Sequence, residues 1–395
     1  MTPFTCIVVG GGYAGIHALQ ALRQSLGEQV KGREVRFILM DKQPHHLRKV
    51  LLFKPAAADM NITLPLKELF SEGVEVIQGT VSALEPTHRK LHYTDEDGAT
   101  QSIGYDVIVL ALGSVIREAA PAQGGITLSS IHAAATIRKL WLANLQQAVR
   151  EPNAALRQRL LTLAVAGAGI SGIETAAELA HAIRAAAVGL GLNPADVKVY
   201  LLNAQDTLLP NGPAKMARKL ERSLADCGVT VLHRKKALHE QDGQLTLADG
   251  DVIPVGVCVW TLGLLPNPIV RSLGLPVTPE GQLVVDASYR VKGCSCIYSI
   301  GDCARIVDPA SGQVDQMTCK EGNAQAARLG KIVFADLQGT AAPSHKSFMD
   351  FFCVGLGPNR GVVWTRYRGL DIILTGKIGW KIRQLTWNMA SLIKS

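Results

Sequence analysis

Residues 4–15 read FTCIVVGGGYAG, an apolar run that passes directly into a glycine-rich turn. The run has the length of a buried strand, and IHALQALRQSL after it repeats apolar residues at helical steps. A second apolar strand, VRFILM at 35–40, ends on Asp41. Strand, turn, helix, strand and acid therefore occur in the order that gives a GxGxxG pattern its meaning. Gly10 permits the tight turn, Gly12 lets the backbone approach a pyrophosphate, and Gly15 allows close helix–strand packing. Amides at the helix start, those of Tyr13 and Ala14 among them, face negative charge there. Asp41 is placed to accept hydrogen bonds from a ribose.

The same pattern restarts at 162, where LTLAVA leads into GAGISG and the helix IETAAELAHAI. Gly167, Gly169 and Gly172 repeat the three roles, with Ile170 opening the helix. The strand VKVYLL at 197–202 follows, and the residue after it is Asn203, a neutral amide that does not repel a 2′-phosphate. Lys215 and Arg218 are further candidates for holding such a phosphate. The choice between NADH and NADPH stays open. Two nucleotide units in one chain suit hydride transfer between a diffusible nicotinamide and a retained flavin. Such a transfer needs positioned rings rather than an acid–base pair. Glu174, just past the second turn, is the candidate catalytic residue at the junction of the rings.

Between and after these units, YDVIVLALG at 105–113 and TLADGDVIPVGVCVWTLG at 246–263 read as apolar strands ending in Gly113 and Gly263. CIYSI at 296–300 runs into Gly301 and Asp302. A helix is expected over 317–337, strands over 345–375, and an amphipathic helix over 375–394. The 395 residues, 47% of them apolar, suffice for two or three domains.

The net charge of +8 is concentrated at the end of the chain. Residues 360–395 hold Arg360, Arg366, Arg368, Lys377, Lys381, Arg383 and Lys394 against Asp371, a net +6. Ile378, Ile382, Leu385, Met389 and Leu392 recur at steps of three and four, so the tail can lie in an anionic interface. Trp380 and Trp387 are its candidate headgroup anchors. No stretch of 18 apolar residues occurs, and the first strand begins too early to leave room for a leader. A cytoplasmic protein, peripheral on the cytoplasmic face of the membrane through this tail, is the expectation. A nucleic-acid partner and a metal site are not expected.

The eight cysteines include no CxxC or CxxxxC, and none lies between 7 and 226. Cys353 alone is kept as a minor candidate for reactivity. His45 and His46, in the irregular stretch after Asp41, are read as surface or loop histidines, with contact to the flavin or the acceptor as the alternative.

Taken together, GGGYAG, ALG at 111–113, GAGISGIETAAEL at 167–179, WTLGLLPNP at 260–268 and SIGD at 299–302 resemble the two-dinucleotide flavoprotein oxidoreductases, the pyridine nucleotide-disulfide oxidoreductase superfamily. The resemblance implies an α/β fold with two Rossmann-like βαβ domains, the second inserted in the first, plus a small C-terminal α+β domain. An FAD domain would comprise 1–115 and 265–340, an NAD(P)H domain 116–264, and the C-terminal domain 341–395. It implies non-covalent FAD on Gly10, Gly12, Gly15, Asp41, Gly113, Gly301 and Asp302, and NADH or NADPH on Gly167, Gly169, Gly172, Glu174, Asn203 and Gly263. Lacking a redox disulfide, the chain is most similar to type II NADH:quinone dehydrogenases and AIF-like NAD(P)H:quinone oxidoreductases. Ala324, Gln325 and Ala327 match part of an AQxAxQQ pattern that implies a quinone end, with Leu329 and Gly330 replacing the later glutamines. A quinone is the leading acceptor. A ferredoxin- or rubredoxin-like carrier and an AIF-like binding role with low turnover are the alternatives, and a homodimer is a further expectation.

Overall fold

The computed structural model describes residues 2–393, so Lys394 of the basic tail lies outside the described residues. Strand β1 (Phe4–Val9) is buried at all six positions, as a strand covered on both faces must be. Helix α1 (Tyr13–Leu26) returns the chain to β2 (Arg33–Asp41), parallel to β1 with Phe4 opposite Val35. After a short helix α2 (Phe53–Ala57), β3 (Glu75–Glu85) adds beside β2, and β4 (Val107–Leu110) adds on the other side of β1.

The chain then leaves along β5 (Ser114–Ile116) and builds a second unit. After α3 (Ile131–Arg150) come β6 (Thr162–Ala166), α4 (Ile170–Gly189), β7 (Lys198–Asn203), α5 (Ala214–Asp226), β8 (Val229–His233) and β9 (Val257–Trp260). These strands form a parallel sheet in the order β9-β6-β7-β8, with residues 126–127 beyond β9. The return crossing, β10 (Leu264–Pro266), pairs antiparallel with β5, Ser114 opposite Pro266. Strand β11 (Ile297–Ser299) then rejoins the first sheet beside β4.

Helix α6 (Cys319–Gln338) packs along α1. A Cβ on Gly330 would meet Ala21 O and Ser25 Oγ, each at 2.7 Å, and Leu329 is fully buried. The helix crossing thus explains why these positions are not the glutamines of the pattern.

Strands β12 (Phe351–Gly355), β13 (Gly361–Tyr367) and β14 (Leu370–Thr375) form an antiparallel sheet that carries the last helix, α7 (Gly376–Ala390). The helix is shorter than the expected 375–394: Leu392 takes φ 56°, a left-handed conformation that ends it. Its buried face is Gly379, Arg383, Trp387 and Ala390, one stripe at helical spacing. The apolar residues Ile378, Leu385 and Met389 point outward instead. Trp387 is a core residue, and Trp380 packs edge-on against it at 5.3 Å, so neither projects as a headgroup anchor. Arg383, counted with the basic surface, is internal. Among the described residues no helix is long and apolar enough to cross a membrane.

Candidate functional site

The two glycine turns have nearly the same geometry. Gly10 and Gly167 take φ of 114° and 117°, open to glycine alone. A Cβ on Gly15 would lie 1.8 Å from Gly10 O, and one on Gly172 would lie 1.8 Å from Gly167 O. Gly12 and Gly169 are exposed, with nothing within 4 Å of an added Cβ. In each turn two glycines are demanded by the fold and one faces open space. That open side lies at a helix N-terminus beyond the carboxyl ends of a parallel sheet, a place whose free amides and helix dipole suit an anionic group. Ile170 is exposed beside Gly169, while Ala14 lies against the first turn's partners, 2.9 Å from a Cβ built on Gly301 and 3.3 Å from one on Gly322.

Asp41 ends β2 and accepts from the Gly11 amide at 2.6 Å and from Gln43 N–H at 2.8 Å. His46 is not the loop residue expected: it is buried, its Nδ1 is 2.9 Å from Gly11 O, and Tyr13 meets its ring edge-on at 4.8 Å. Burial pulls its pKa down to about 4, against the opposing hydrogen bond to Gly11. Among the described residues its Nε2 has no hydrogen-bond partner. The corresponding residue of the second unit, Asn203, turns inward, donating to Thr207 O at 3.0 Å and accepting from Gln205 N–H at 3.2 Å. Lys215 and Arg218 are solvent-exposed on α5.

Gly113 and Gly263 begin the two crossings, with φ of 65° and 88° and no atoms near an added Cβ. Here the structure gathers Gly113, Ser114, Asp302 and a lysine that sequence reasoning missed. Lys49 Nζ donates to Ser114 O at 2.7 Å and to Ser114 Oγ at 3.1 Å, and Ser114 Oγ donates to Asp302 Oδ2 at 2.5 Å.

Gln325 accepts from Gly301 N–H at 2.7 Å and donates to Asp315 Oδ2 at 2.8 Å. Both ends of its amide are thus engaged in bracing the Gly301 turn, and Ala324 beside it is half-buried. Asp315 continues to His345 at 3.2 Å and from there to Tyr289 at 2.9 Å, a buried network joining α6 to the 340s.

Glu174 is buried in α4. Arg383 clamps both its oxygens, at 2.8 and 2.9 Å, and Gly355 N–H adds a third bond at 2.8 Å. Burial alone would lower the arginine's pKa, but the carboxylate beside it holds it above the ordinary value. One turn on, Glu178 pairs with Lys54 at 2.7 Å. Lys54 Nζ also lies over the Trp380 ring at 5.1 Å. Two carboxylates of α4 are therefore tied to α7 and α2. Arg383 and Lys54 were not legible as partners, because nothing in the local sequence marks them.

All eight cysteines are free thiols. Burial pushes Cys353 up to about 12, which removes it as a reactive candidate.

A family model described as pyridine nucleotide-disulphide oxidoreductase matches residues 4–327, covering both turns and the Gly301–Asp302 segment. The chain belongs to this family. Among curated proteins it is 27% identical to the demethylphylloquinone reductase NdbB of Synechocystis, over 85% of this chain and 80% of that protein. It is 24% identical to the type II NADH:quinone oxidoreductase of Haemophilus influenzae, over 86% and 82%. Among solved structures, NDH2 of Plasmodium falciparum in complex with NADH superposes with a TM-score of 0.80 at 16% identity, covering 99% of this chain and 96% of that one. That likeness extends the shared fold through the C-terminal sheet and α7.

Proposed function

We propose that this family member is an FAD-dependent NAD(P)H dehydrogenase that passes hydride from NAD(P)H to FAD and electrons onward to a quinone, without a redox disulfide. The observation that carries it is the duplicated glycine turn, each with one glycine open at a helix N-terminus, joined by the paired crossings β5 and β10. The residue set fits FAD: Gly12, the amides of Tyr13 and Ala14, Asp41, Gly113 and Asp302 would hold it. Gly167, Gly169, Gly172 and Gly263 would hold the nicotinamide nucleotide. When bound, FAD supplies a ring that takes up electrons in pairs and releases them singly or in pairs. The chain supplies position and charge. The division into residues 1–115 with 265–340, 116–264 and 341–395 belongs to the same proposal.

The names of the relatives support quinone as acceptor. The outer face of the C-terminal region supports membrane docking. Leu370 is 72% exposed, Ile378 60% and Met389 59%, and Lys377 and Lys381 lie exposed on the same helix. An apolar face flanked by cations suits an anionic bilayer surface. Quinone is a lipid-soluble acceptor, so the two features serve one task.

The test is anaerobic. NADH and NADPH are added to the purified flavoprotein, the flavin is followed by absorbance, and menaquinone, ubiquinone or an iron–sulfur carrier is then added. Rapid bleaching followed by reoxidation with a quinone is expected. Reoxidation by the iron–sulfur carrier alone overturns the quinone assignment, and purified protein unable to take up flavin overturns the whole reading.

A further inference from the structure

The lysine at the crossing has a charge that its neighbours do not balance directly. Both hydrogen-bond acceptors of Lys49 are uncharged atoms of Ser114, and Asp302 reaches it through the serine hydroxyl. Burial lowers the lysine's pKa from the ordinary value and Asp302 raises it, with Lys42 a second cation nearby. A half-buried cation whose direct acceptors are neutral, with its nearest carboxylate one hydroxyl away, is stabilised further by an anion that arrives with a ligand.

Two parts of the cofactor in the proposed reading carry negative charge, the pyrophosphate and the reduced ring. Position separates them. The pyrophosphate seat is the start of α1, where Gly12 faces open space. Lys49 instead holds Ser114, the first residue of the outgoing crossing and the partner of Pro266 on the return. The crossings are the seam between the two nucleotide units, and rings that exchange hydride must meet at that seam.

Resting on the reading that the chain binds FAD, we propose that Lys49 supplies the positive charge that balances the electron pair taken up by the flavin, and so sets its reduction potential. The balance is simple. Hydride brings two electrons and one proton from the nicotinamide, which leaves oxidised, and the neutral ring gains one negative charge. Lys49 forms and breaks no covalent bond. It is a charge-balancing residue, and Asp302, acting through Ser114, fixes where that charge stands.

The experiment compares FAD-loaded wild type with Lys49→Gln, Lys49→Met and Lys49→Arg. Equilibrium reduction is measured against a reference dye, and sulfite is titrated as a probe that also leaves negative charge on the ring. The neutral variants are expected to retain FAD and to show at least a tenfold lower reduced-to-oxidised ratio at a fixed potential, a fall of about 30 mV for a two-electron couple. Sulfite affinity should fall in parallel, and arginine should restore both. A neutral variant that holds FAD with an unchanged potential overturns the proposal. So does loss of FAD that excess cofactor cannot reverse, which would make Lys49 an anchor, or failure of both neutral variants to fold. Wild type without flavin would instead overturn the underlying reading.

Discussion

Replacing Arg383 by methionine keeps most of the side chain's apolar volume and leaves Glu174 as a buried carboxylate without its cation. Arg383 donates two hydrogen bonds to Glu174, at 2.8 and 2.9 Å, and the two side chains are 10% and 2% exposed. Breaking a pair this deep costs about 3–5 kcal/mol, because the remaining charge has lost both its partner and its water. For 395 residues unfolding as one unit, an unfolding entropy of about 2.1 cal/mol/K per residue gives roughly 0.8 kcal/mol/K. The expected fall in Tm is therefore about 4–6 °C by calorimetry. Adding Glu174→Gln removes the stranded charge while keeping an acceptor for Gly355 N–H. The double variant should regain more than half of the loss, and the cycle measures the coupling. Arg383→Met melting within about 1 °C of wild type, or a double variant no more stable than the single, would refute the reasoning.

Glycine substitutions should separate fold from ligand. Gly15→Ala drives a Cβ to 1.8 Å from Gly10 O and should abolish soluble expression, whereas Gly12→Ala meets nothing and should yield folded protein with at least tenfold less bound flavin. Flavin content near wild type in Gly12→Ala counts against the pyrophosphate assignment. Acid stability should depend on His46. The unfolded histidine binds a proton below about 6.5 that the folded one refuses until about 4, so stability falls as pH drops through that window, by about 3 kcal/mol in all. His46→Gln should flatten the decline measured by denaturant titration, and an unchanged slope would locate the effect elsewhere. Finally, Ile378→Asp with Leu385→Asp places two charges on the outward face of α7. Co-sedimentation with anionic vesicles should drop at least tenfold while flavin reduction by NADH is unchanged. Equal sedimentation of the two proteins would remove α7 as the docking surface.

The sequence alone determined the two βαβ units and the glycines that define them. Those features are local: a strand, a turn requiring φ above zero and a helix follow within some twenty residues, and each limits the next through backbone sterics. The late Gly301–Asp302 and the crossing glycines were legible for the same reason. Only the tertiary structure decided which faces meet. Glu174 and Arg383 are 209 positions apart, and Lys49 reaches Asp302 through a serine 65 positions from one and 188 from the other. No periodicity links such residues. The tail illustrates the difference most plainly. Its apolar stripe was visible as spacing, but α7 presents two faces. Packing against β13, where Gly379 and Gly361 bring the backbones together, chose Arg383 and Trp387 for the inside and left Ile378, Leu385 and Met389 of the stripe facing out, with Ile382 and Leu392 half-buried.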